Sequence, residues 1–168
     1  MLRLSILAFV LLLALDARSD AREIPSVFLV SKTQNKNQVH YAVAVDATCR
    51  PVGAAPIRAY WHMLERGPDA TAPLLDREQP AYGIARQDVD GDGVRIVLRA
   101  LPARPIQIQT AQAPNGTCRS VAYMTISGTR ARLFNVHVAC GWLCSRVAYL
   151  LLTGWTDAGA VVRERVEP

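Results

Sequence analysis

The sequence predicts an all-β protein: an antiparallel meander of about nine strands, closed as a barrel-like body or a two-sheet sandwich, with at most one short helix. Three observations lead there. Apolar and polar residues alternate with a period of two through most of the chain, as they do on extended strands. Turn-forming pairs recur at a spacing of roughly ten residues, which favours antiparallel neighbours. One short stretch, "APLLDRE" before Pro80, reads as a helical turn.

The strands are expected near 27–32, 38–46, 57–65, 81–88, 94–101, 105–112, 119–127, 131–140 and 145–155, with 160–166 as a possible tenth. In "VHYAVAVD", Val39, Tyr41, Val43 and Val45 share one face, and His40, Ala42 and Ala44 the other. "PIQIQTAQ" sets Ile106 and Ile108 against Gln107 and Gln109, and "ARLFNVHVAC" sets Phe134, Val136 and Val138 against Leu133, Asn135 and His137. "VAYLLLTGW" is apolar on both faces, as in a strand at mid-sheet or under a covering loop. Turns are expected at "DGDG", "PNG", "SGT", "CGWLC" and "TDAG". A long meander must close or pack its edges away, hence the barrel or sandwich.

Residues 1–21 have the parts of a secretory signal: Arg3 at the start, an apolar run from Leu4 to Leu15, and small residues Ser19 and Ala21 before a cut. The apolar run as a helix would reach only about 18 Å, short of a hydrocarbon core of roughly 30 Å. Residues 22–168 then form a single exported β-rich domain, periplasmic or secreted, with no membrane span after cleavage. The net charge of +5 comes mostly from arginines spread along the chain and interleaved with acids. No basic stripe with aromatics is present, so no nucleic-acid partner is expected.

"QDVDGDGVRI" begins like a calcium loop, with Asp88, Asp90, Asp92 and Gly93 in place. An EF-hand closes on a bidentate Glu at the twelfth position. Here that position is Arg99, and "VRIVLRAL" reads as strand rather than exit helix. The stretch is read as a hairpin turn. His137, Cys140 and Cys144 have a spacing that zinc or copper accepts, but exported cysteines favour oxidation. No metal and no cofactor are expected. Nor does a nucleophile motif of the G-x-S-x-G kind accompany His40, His62 or His137.

The aromatic run "RAYWHMLERG" and the neighbouring "PAYGI" supply the candidate ligand-binding residues Tyr60, Trp61, His62, Glu65 and Tyr82. Trp and Tyr beside a charge suit a small-molecule or glycan pocket. They equally suit an ordinary β core. The segments "SKTQNKNQVHYAV", "IRAYWHMLERG", "PAYGIA" and "LRALPARPIQI" together resemble the bacterial exported family catalogued as domain of unknown function 4833. The matching positions are Lys36, Asn37 and Tyr41, then Tyr60 and Trp61, then Ala81, Tyr82 and Gly83, then Arg104, Pro105 and Ile106. The resemblance implies an exported β-rich domain and no particular activity.

The expected function is that of a non-catalytic binding module of the bacterial cell envelope, its partner an unknown small molecule, a glycan or an envelope protein. The alternative is a hydrolase-like enzyme with a cleft formed by Glu65, His62 and Tyr60, aided by Lys32 and Lys36. The even number of cysteines predicts a disulfide framework, with Cys140 paired to Cys144 across a three-residue hairpin loop and Cys49 paired to Cys118.

Overall fold

A computed structural model describes residues 21–141 and 147–167. The leader expected at 1–21 lies, apart from Ala21, outside the described residues. Among those described there are eleven strands: β1 (Arg22–Lys32), β2 (Asn35–Val45), β3 (Ile57–His62), β4 (Thr71–Pro73), β5 (Ile84–Asp90), β6 (Gly93–Leu98), β7 (Ile106–Gln112), β8 (Cys118–Ile126), β9 (Thr129–Cys140), β10 (Val147–Trp155) and β11 (Val161–Val166). A 3-10 turn, Asp76–Glu78, runs into a one-turn helix, α1 (Gln79–Tyr82). The fold is all-β, as the alternation predicts. The third strand ends at His62 rather than 65, and residues 81 and 82 belong to α1 rather than to a strand.

The strands form one sheet in the order β4-β3-β2-β1-β9-β8-β7-β6-β5, with β10 and β11 branching from β9. Sequence neighbours pair antiparallel, which accounts for most of this order. The exception is β1 with β9, paired parallel from Leu29 opposite Asn135 to Lys32 opposite Val138. β9 is long enough, at twelve residues, to take three partners. Its start pairs with β8 and its later part with β1 along the same edge, while β10 runs along the opposite edge.

The backbone ladder does not close, but its two ends meet. The Gln87 side chain of β5 lies against β3, where its Oε1 accepts from the Ile57 N–H at 2.9 Å and its Nε2 donates to the Ile57 carbonyl at 2.8 Å. A single side-chain amide thus does at this seam what a strand backbone does elsewhere. The Tyr41 hydroxyl adds a bond to the Tyr82 carbonyl at 2.6 Å. The result is a barrel-like body around one core, in which Phe28, Val39, Tyr41, Val43, Ile96, Ile106, Ile108, Ile126 and Leu152 are almost wholly enclosed. Phe28 and Tyr41 stack face to face across β1 and β2, ring centroids 4.3 Å apart.

In β9 the expected alternation breaks. Thr153 faces Asn135 while Gly154 faces Leu133, so Phe134 is an extra, bulged residue. The bulge turns Phe134 outward, 46% exposed, while Leu133, Val136 and Val138 all reach the core. The bulge thus replaces the face assignment that strict alternation gives for Phe134 and Leu133.

Cys49 and Cys118 form a disulfide, their Cα atoms 5.3 Å apart and 69 positions apart in sequence. Cys140 is also disulfide-bonded, and Cys144, the partner expected for it, lies outside the described residues. The β9–β10 register places Val147 opposite Cys140. Oxidation of Cys140 also removes it as a thiolate ligand beside His137. The "DGDG" stretch is a hairpin turn: Asp90 pairs with Gly93, and Gly91 takes a φ of 55° in the left-handed region that glycine tolerates. Two carboxylates at and beside this turn engage arginines, Asp92 with Arg50 at 3.3 Å and Asp88 with Arg86 at 2.9 Å. Among the described residues no helix is long and apolar enough to cross a membrane.

Candidate functional pocket

The five candidate residues do not face one cavity. Tyr60, Trp61 and His62 are consecutive on β3, so their side chains alternate between its faces. Trp61 belongs to the core cluster, with Tyr82 packed on it edge to face at 5.2 Å between ring centroids. Tyr60 and His62 lie on the other face, beside His40 of β2. The His40 ring is 4.8 Å from that of His62 and 5.9 Å from that of Tyr60, and the Arg58 guanidinium sits 4.8 Å over Tyr60. Burial first, and then the neighbouring His62, hold the His40 pKa below the ordinary imidazole value. Burial raises the Tyr60 and Tyr82 phenols above theirs.

Glu65 follows β3 and turns toward β2. Its Oε2 accepts from Asn37 Nδ2 at 3.2 Å, and its own N–H donates to Asn37 Oδ1 at 3.1 Å. The Lys36 N–H reaches Oε1 at 3.4 Å. This carboxylate is occupied in fastening the loop after β3 to β2. Glu65, His62 and Tyr60, the residues of the alternative hydrolase-like reading, are not brought together in the lining of the pocket described below.

What the fold does build is a pocket of ≈ 360 Å³ at the open end of β1, β2 and β3. Trp61 forms one wall. Met63, Ala72, Pro73 and Leu75 add apolar surface, and Asn37, Lys32, Arg66, Arg77 and Glu78 complete the lining. Lys32 is the last residue of β1, and its ammonium lies 5.0 Å from the centroid of the Trp61 ring, within cation–π range. Glu78, in the 3-10 turn, holds the wall together. Its Oε2 accepts from the Trp61 indole N–H and from the Leu75 N–H, both at 2.8 Å.

Of the sequence candidates, Trp61 lines this pocket directly, Tyr82 packs behind it, and Glu65 fastens Asn37 at its edge. Lys32, which the sequence suggests only as an enzymatic cation, stands in the lining instead. Arg66, Arg77 and Glu78 are pocket residues that the sequence does not point to; the one signal for them is the turn-forming "APLLDRE", which contains two of the three.

A second polar cluster lies where β1 and β9 run parallel. Ser31 Oγ is 2.9 Å from His137 Nδ1 and donates to Asn135 Oδ1 at 3.1 Å, and Thr33 Oγ1 is 3.4 Å from His137 Nε2. These contacts tie the two strands together, and no carboxylate bonds to this imidazole among the described residues. Nor does any group of three or more His, Cys, Asp or Glu residues there lie close enough to hold a metal ion.

A family model described as Domain of unknown function (DUF4833) matches residues 28–165. The chain belongs to the DUF4833 family. The match runs from β1 to β11, so the whole pocket lies within the DUF4833 domain. Asn37 and Trp61, two of the residues through which the sequence resembles the family, are pocket-lining residues. Arg104 of the "RPI" segment serves elsewhere, pairing with Glu164 of β11, whose carboxylate also accepts the Ser127 N–H. No curated protein and no solved structure matches the chain.

Proposed function

We propose that this DUF4833 domain is an exported, non-catalytic binding module of the cell envelope and that it holds a small ligand in the Trp61 pocket. The observation that carries the reading is the composition of the pocket. An indole and four further apolar side chains supply contact area, and a few polar groups stand at fixed positions around them. That is the balance expected of small-molecule sites, and ≈ 360 Å³ lies within their usual range. The rigidity of the wall supports it as well. Glu78 fixes the Trp61 ring and Asn37 fixes the following loop, so little ordering remains to oppose binding. Export is supported by the leader at residues 1–21 and by the Cys49–Cys118 disulfide.

The test is a thermal-shift screen of the exported, oxidised protein against carboxylates, phosphate esters, sugars, amino acids and short peptides. A ligand that raises the Tm of the wild type and not of Trp61→Ala supports the reading. A stabilising ligand whose effect survives in Trp61→Ala places binding elsewhere and refutes the assignment.

A further inference from the structure

Building on that binding-module reading, we infer that the ligand of the Trp61 pocket is an amphiphilic anion: an apolar body carrying a carboxylate or phosphate head, anchored by Lys32. Three cationic side chains, Lys32, Arg66 and Arg77, reach this pocket from three separate segments of the chain. None of them makes an ion pair among the described residues, whereas Arg50, Arg58, Arg86 and Arg104 elsewhere each hold a carboxylate. The one carboxylate lining the pocket, Glu78, is committed to Trp61 and Leu75. The lining therefore carries two more positive than negative groups, and its acidic member already has hydrogen-bond donors.

Lys32 is the natural anchor because it is half-buried and sits against the indole face. Its ammonium has the indole face as a neighbour and no carboxylate partner among the described residues, so an anion entering the pocket can form a charge-assisted bond with it. Arg66 and Arg77 are exposed, one after β3 and one in the 3-10 turn. Their forked donors suit the oxygens of a carboxylate or a phosphate equally. The rest of the ligand is apolar, since Met63, Ala72, Pro73, Leu75 and the Trp61 ring make up half of the lining. A free inorganic anion would leave that surface uncovered. A neutral amphiphile would leave the three cations without a partner.

Isothermal titration of the exported, disulfide-bonded protein with four probes tests this: octanoate, octyl phosphate, octan-1-ol and inorganic phosphate. Octanoate or octyl phosphate should bind, and whichever binds tighter identifies the source of the head group. Octan-1-ol should be weaker by about tenfold or more, the usual loss when a charge-assisted hydrogen bond is removed. Lys32→Met should lose about as much, and the exposed pair Arg66→Gln/Arg77→Gln should lose part of it while unfolding at the wild-type temperature. Equal affinity for octan-1-ol and octanoate would overturn the anion and leave the binding module standing. Inorganic phosphate binding as tightly as octyl phosphate would overturn the apolar body. Undiminished octanoate binding in both variants would overturn the anchor. If none of the four probes binds, the amphiphilic-anion inference falls, and the thermal-shift screen with sugars, amino acids and peptides decides the binding-module reading separately.

Discussion

Asn37 is 9% exposed and makes two bonds to Glu65, one to its carboxylate and one from its backbone N–H. Truncating it leaves a buried gap and removes both bonds, so Asn37→Ala should cost about 1–3 kcal/mol in urea unfolding. It should also weaken ligand binding, because the loop bearing Met63 and Arg66 is released. His40 makes a separate prediction. Burial and the adjacent His62 lower its pKa in the folded protein, so the unfolded chain takes up a proton more readily. Stability should then be full above the ordinary imidazole value of about 6.5 and fall as pH drops through the lower folded value. Urea midpoints measured from about pH 7.5 down to about pH 5 should decline in the wild type and decline less in His40→Gln. Equal slopes in the two proteins would contradict the assignment. The sequence singles out Trp61 because an aromatic beside charged residues on a strand is a local signal. It does not single out Arg66, Arg77 and Glu78 as its companions. Arg66 follows Trp61 in the same run but past the end of the strand, where alternation no longer says which way a side chain faces. Arg77 and Glu78 come from a separate segment that no local pattern connects to Trp61.

At the level of elements, alternation reveals the long strands, since a buried face and a solvent face impose period two wherever the ladder is regular. It fails at β4, whose three residues, Thr71–Pro73, are too few to show a period. It also fails at Phe134, where the bulge inserts a residue. Gly154 lies beside that bulge on β10, and a Cβ there would come 2.6 Å from the Arg132 carbonyl oxygen and 2.9 Å from Ile126 Cδ1. Gly154→Ala should therefore destabilise the protein by about 1–3 kcal/mol, seen as a lower urea midpoint; an unchanged midpoint would mean that the strand pair moves apart at little cost. The β5–β6 turn gives the opposite kind of prediction. Asp88 and Asp92 are engaged by different arginines, and the position where an EF-hand closes is Arg99. Calorimetry with calcium should register no binding at about millimolar concentration. A micromolar affinity that Asp90→Ala abolishes would overturn that reading.

For the whole molecule, the pocket exists because distant parts of the chain are held in one body. The parallel β1–β9 pairing puts Lys32 where it is. That pairing is not legible in the sequence, because neighbouring-strand signals say nothing about which remote strands meet. The Cys49–Cys118 pairing is one the sequence leads us to expect, and the structure contains it. It joins the β2–β3 loop to the start of β8. Closing a loop of this length stabilises by about 4 kcal/mol in the chain-entropy model. Cys49→Ser with Cys118→Ser should lose roughly that much in urea unfolding, and peptide mapping without reductant should find Cys49 joined to Cys118. Whether a ligand sits against Trp61 in this body is decided by amide and indole N–H shift mapping during titration with octanoate. The Trp61 indole N–H and the amides of Lys32, Met63 and Leu75 should shift together and saturate with one affinity. Shifts confined to the exposed Phe134 and Trp155 rings on the β9–β10 surface, or no shifts at all, would contradict an amphiphilic-anion site at Trp61.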